Sequence, residues 1–178
     1  MFAIVLAALD RSGSVLPILC AMAVHELAHV VMMLACGGQV RRLTLRFADL
    51  QIAASGLGYR QELLSALAGP LVNLICGAAF CMQRPSFAAY SLMLGIYKLL
   101  PVWPLDGGRV LRCALLARLP ITQAEHISEI VSFAACAVLL LIGVFLTFFR
   151  KSGLWPLGTA AYLTVRLLML ARRTDAVQ

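Results

Sequence analysis

The residues of this chain best suited to chemistry stand close together, as His25-Glu26-Leu27-Ala28-His29. Residues four apart stack on one face of an α-helix, so both imidazoles can reach a single ion. Glu26 is displaced by one residue from the first histidine. It stands beside such an ion and not on it, where a carboxylate can take a proton from bound water. The flanking residues 16–36 (LPILCAMAVHELAHVVMMLAC) are otherwise almost wholly apolar, and ionisable groups inside such a segment are costly and usually functional. The chain holds 3 His, and a chance match to this spacing is on the order of one in a thousand.

Two histidines do not complete a catalytic zinc site, which takes three protein ligands and leaves a fourth position for water. The candidates for the third are the acidic residues and His126. Asp106 is the best placed. Two expected crossings, 62–82 and 86–100, return the chain to the face where the histidine-bearing helix ends. His29 stands about seven residues short of that end, hence on the order of 10 Å below the surface. Pro101 and Pro104 interrupt regular helix just before Asp106, since each lacks an N–H and distorts the preceding turn. Gly107 and Gly108 permit close backbone approach. His126, beside Glu125 and Glu129 at an expected helix start, remains the alternative ligand.

The elements that must position these groups follow from composition. Of 178 residues, 62% are hydrophobic and 13% charged, with a mean hydropathy of +0.91. A soluble domain runs nearer half apolar and a quarter charged. The excess recurs in several runs of membrane-spanning length, which excludes a soluble globular domain, a disordered chain and a secreted disulfide scaffold. The expected fold class is an all-α polytopic membrane protein of about five to six transmembrane helices. A small membrane-associated β-hairpin or sheet is expected after the histidine-bearing helix. The net charge of +7 is distributed between the apolar runs. No basic stripe or aromatic platform accompanies it, so nucleic acid is not an expected partner. The six cysteines form no Cys-x-x-Cys pair and read as small buried apolar side chains.

Residues 1–9 are too few to span as a straight helix and carry no basic start, so a cleaved signal peptide is not expected. Full spans are expected at 16–36 and 62–82, and a third at 86–100. Between the first two, Leu43, Leu45 and Phe47 alternate with Thr44 and Arg46, the period of a strand. An open sheet edge cannot face lipid, so this segment must line protein or water. Residues 109–118 read as a short amphipathic helix, Thr122 to Glu125 as a capping box, and 154–170 as a last span. One membrane-embedded domain is expected over 1–178, with a core at about 16–118 and C-terminal helices at about 124–170. With the loop after 16–36 placed in the cytoplasm, nine basic residues face inside and four outside, the bias that sets orientation.

Three segments together resemble the site-2 protease family of intramembrane zinc metalloproteases, within it the compact sporulation-type branch. They are His25-Glu26-Leu27-Ala28-His29, Ala68-Gly69-Pro70-Leu71-Val72-Asn73, and Leu99-Leu100-Pro101-Val102-Trp103-Pro104-Leu105-Asp106-Gly107-Gly108, in the family's order. The resemblance implies that His25, His29 and Asp106 ligate one zinc ion per chain and that Glu26 is the base. It also implies that Asn73 and the Gly69-Pro70 turn line the site. Lys98 departs from the pattern, standing where the family's third motif commonly begins with Asn. That position bears on holding substrate, and a lysine there can snorkel to the interface.

The expected function is a zinc-dependent intramembrane endopeptidase that cleaves a transmembrane or membrane-associated protein near the cytoplasmic face. The branch implies a sporulation transcription-factor precursor as substrate. Asn73 can donate to a developing oxyanion or make an interhelical hydrogen bond. An extended substrate can add as a strand to the 39–60 segment. The expected location is a bacterial-type inner or cell membrane, with the lipid bilayer and regulatory membrane proteins as partners. Two other readings stand beside it: a non-proteolytic membrane metal-binding protein or transporter, and a pseudoprotease, the latter supported by Lys98 alone. The position of Glu26 and the lack of an inverted repeat weigh against transport.

Overall fold

The computed structural model describes residues 13, 15–46, 49–55, 58–149, 158, 161–165, 167 and 169. The expectation for residues 1–9 lies outside them, as does much of the expected last span. The chain divides into two compact units, Met1–Leu99 and Leu100–Gln178.

The first unit begins with α1 (Val15–Ala35), then β1 (Gln39–Arg46), β2 (Asp49–Ser55), α2 (Tyr59–Ala79) and α3 (Pro85–Lys98). Helix α1 inverts the polarity of a soluble helix. Its buried residues are Ala21, His25, His29 and Met33, a four-residue step along one face. Leu27, Val31 and Leu34 on other faces are exposed. Apolar side chains outside and histidines inside suit a lipid surround, where the polar groups turn to protein. The helix stops at Gly37, whose φ of 79° is open to glycine but strained for side-chain-bearing residues. The Gly38 N–H reaches back to the Met33 carbonyl at 3.0 Å, closing a Schellman-type end.

Strands β1 and β2 pair antiparallel, with Leu43 opposite Ile52, Leu45 opposite Leu50 and Arg46 opposite Asp49. The register shifts between Val40 and Arg42, so β1 carries one extra residue there, a bulge that bends the strand. At the start of α2 the Gly58 N–H donates to Gln61 Oε1 at 2.9 Å. Gln61 Nε2 donates to the Cys36 carbonyl at 3.1 Å, tying this start to the end of α1.

Helices α2 and α3 approach closely through small residues, as membrane helices do. A Cβ at Gly95 would stand 3.0 Å from the Pro70 carbonyl oxygen, and one at Gly77 would meet Leu92 and stand 3.1 Å from the Ala88 oxygen. Helix α3 has 14 residues, about 21 Å at 1.5 Å per residue. The helix matches the expected 86–100 closely, but its length is short of the roughly 30 Å hydrocarbon core. Arg84-Pro85 and Pro101 bound it at both ends.

In the second unit a turn over 100–105 leads into α4 (Asp106–Leu116), followed by α5 (Ile121–Phe149). The Trp103 N–H donates to Ser132 Oγ at 3.1 Å, and that hydroxyl donates to the Ser128 carbonyl at 2.8 Å. Arg112 Nη2 meets Glu125 Oε1 at 2.8 Å and lies over the Trp103 ring, joining α4 to α5. Thr122, the expected cap, lies inside α5. Pro120, just before the helix, takes the outer position, and its carbonyl accepts the Ala124 N–H at 3.0 Å. Among the described residues, Val15–Ala35, Tyr59–Ala79 and Ile121–Phe145 are long and apolar enough to cross a membrane.

Candidate metal centre

His25 and His29 are 1% and 7% exposed. Their rings meet edge to face, with centroids 4.7 Å apart and planes at 85°. The two Nε2 atoms stand 3.1 Å apart. Zinc–nitrogen bonds of about 2.0–2.1 Å in a tetrahedron place two ligand nitrogens about 3.3–3.4 Å from each other. The pair thus stands within a few tenths of an ångström of a chelating separation.

The surface that holds it comes from α2. Ser65, Gly69 and Asn73 recur every four residues and are buried, one stripe laid antiparallel against α1. At one end the His29 Nδ1–H donates to the Ser65 carbonyl at 2.7 Å. That bond places the proton on Nδ1 and leaves the lone pair on Nε2, the arrangement expected of a metal-ligating histidine. At the other end, Asn73 Nδ2 lies 3.3 Å from His25 Nδ1. Between them Gly69 lies flat against both rings. A Cβ there would meet His29 Nε2 and stand 2.9 Å from His25 Cε1. The donor chemistry and the space left at Gly69 both fit a zinc ion.

Glu26 follows His25 in α1 and is half-buried. Gly69 and Pro70 do not form the expected turn: they lie inside the continuous helix α2. Proline is tolerated there because neighbouring helices re-satisfy or bury the freed backbone group. Lys98 is the last residue of α3 and half-buried. In the second unit Asp106 is the first residue of α4 and only 6% exposed. Its Oδ1 stands 4.0 Å from Arg109 Nη1. A Cβ on Gly108 would come within 2.6 Å of the Trp103 nitrogen and the Val102 carbonyl, so only glycine lets α4 start against the preceding turn. His126 is exposed on α5 beside the ion-paired Glu125.

Ser65 escaped the sequence reading because its contribution is a main-chain oxygen, which carries no residue signature. The signal that could have found it is its place four residues before Gly69 and eight before Asn73.

No family model matches the chain. A zinc metalloprotease of Methanocaldococcus jannaschii is 26% identical over 133 residues, 67% of this chain and 39% of that protein. Stage IV sporulation protein FB of Bacillus subtilis is 28% identical over 138 residues, 70% of this chain and 47% of that protein. The chain thus spans less than half the length of these curated relatives. The solved site-2 protease from Methanocaldococcus jannaschii shares the fold, with a TM-score of 0.68 at 19% identity over 94% of this chain and 83% of that one. By these relatives the chain is similar to zinc metalloproteases, and it shares the fold of the solved site-2 protease.

Proposed function

We propose that this chain is a zinc-dependent intramembrane endopeptidase. The observation that carries the reading is the buried pair of imidazoles, 3.1 Å apart at Nε2, on a helix apolar enough to cross a membrane. We assign His25, His29 and Asp106 as the three ligands of one zinc ion. Bound there, zinc lowers the pKa of its water towards about 7 and polarises a peptide carbonyl. Glu26 takes the proton of the attacking water and later delivers it to the leaving amine. Ser65 and Gly69 hold and clear the ring of His29.

The substrate is a transmembrane or membrane-associated protein. A helix hides its peptide bonds, so the substrate must unwind before attack. An extended segment added as a strand beside β1 or β2 supplies the backbone partners that unwinding costs it. Lys98, at the end of α3, reaches the interface and meets the substrate there. The basic-residue bias supports a site towards the cytoplasmic side. The apolar runs of the sequence support a total of about five to six transmembrane helices, three of which are long and apolar enough to cross among the described residues. The likeness to stage IV sporulation protein FB supports a sporulation transcription-factor precursor as substrate.

The test is co-expression of a membrane substrate with wild type and with Glu26→Gln. Cleavage is expected only with wild type, while both variants bind zinc equally. Equal processing by both would remove Glu26 from the mechanism.

A further inference from the structure

The two α2 groups that meet the outward ring nitrogens differ in kind. Ser65 offers His29 a carbonyl oxygen, which can only accept. Asn73 offers His25 a carboxamide, which presents a donor at one end and an acceptor at the other. The two ends are nearly equal in shape and exchange by a half-turn of the side chain. In the structure Nδ2 faces His25 Nδ1 at 3.3 Å. Asn73 is fully buried, and its Oδ1 is left without a hydrogen-bond partner. A buried acceptor without a partner is costly and calls for an explanation.

The orientation of this amide decides where the His25 proton sits. With Nδ2 donating to Nδ1, the proton belongs on Nε2, which then points at His29 Nε2 3.1 Å away. Such a nitrogen has no lone pair for a metal. With the amide turned over, Oδ1 accepts from Nδ1–H, the orphaned oxygen gains its partner, and the Nε2 lone pair is freed. This is the second-shell arrangement that raises ligand basicity.

We propose that Asn73 is a positioning residue that sets the tautomer of His25, its carboxamide turning over as zinc loads. The inference rests on the proposed zinc site and adds to it a metal-coupled switch on α2.

The experiment measures zinc affinity of the full chain in detergent by competition with a chromophoric chelator. Asn73→Asp, Asn73→Leu and His25→Ala are compared with wild type, with melting of the zinc-free proteins alongside. Aspartate is an acceptor only and is locked in the turned-over role, so it should bind zinc at least as tightly as wild type. Leucine keeps the volume and removes the acceptor, so affinity should fall about 10–100-fold. If leucine prevents folding, Asn73→Ala makes the same comparison. Nitrogen-15 spectra of histidine-labelled wild type should show the His25 proton on Nε2 without zinc and on Nδ1 with it. Leucine binding zinc like wild type, aspartate weakened as much as leucine, or a proton already on Nδ1 before zinc would each overturn the proposal. Full zinc stoichiometry in His25→Ala would instead overturn the zinc site itself, which keeps the two failures apart.

Discussion

Replacing Gly69 with alanine adds one methyl group where α2 faces both imidazoles. The new Cβ would stand 2.7 Å from His29 Cε1 and 2.9 Å from His25 Cε1. Carbon atoms pack best at about 3.5–4.0 Å, so each ring must withdraw by roughly 1 Å. The His29 ring cannot do so freely, because its Nδ1 is held 2.7 Å from the Ser65 carbonyl. Metal–ligand distances are sound only within about 0.2 Å, so the displacement is about five times what the site tolerates. Overpacking of this size costs about 1–3 kcal/mol of fold stability. The expected loss of zinc affinity is at least the roughly 10–100-fold that follows from removing a single supporting group. The assay is chelator competition on purified protein, with melting of the zinc-free form. Gly77→Ala is the control, since its methyl would press on Leu92 and the Ala88 carbonyl on the same helix. It should lower the melting temperature and leave zinc affinity unchanged. If Gly69→Ala bound zinc within about threefold of wild type, α2 would not shape the site and the argument from packing would fail.

Other substitutions separate main-chain from side-chain roles. Ser65→Ala should leave zinc affinity unchanged, because His29 is held by the carbonyl at 2.7 Å while the hydroxyl makes only a 3.4 Å contact; a large loss in titration would contradict this. Asp106→Ala should abolish stoichiometric zinc, and retained zinc on elemental analysis would move the third ligand to another residue such as His126. Gly108→Ala should be strongly destabilising, since its Cβ would meet backbone at 2.6 Å and backbone yields less readily than a side-chain tip. Expression level and melting temperature check it against the milder Gly77→Ala. Chelation should abolish substrate cleavage by wild type and added zinc should restore it, whereas cleavage that survives chelation would exclude a metalloprotease.

Much of this protein follows from local spacing and composition. The four-residue step from His25 to His29 places both rings on one face whatever packs against them, because the helix repeat alone decides it. The apolar runs mark α1, α2 and α5 for the same reason, since a membrane selects on total apolar length and not on particular contacts. Tertiary structure decided the rest. That the Ser65 carbonyl accepts from His29, that Gly69 must lack a side chain, and that Asn73 reaches a ring nitrogen 48 residues away all depend on how α2 docks against α1. The close approach of α3 to the Pro70 carbonyl depends on Gly95, where a Cβ would stand 3.0 Å from that oxygen. Periodicity reports which face a residue occupies. It does not report which atom of another helix will stand opposite, and the proton positions of both histidines hang on that atom.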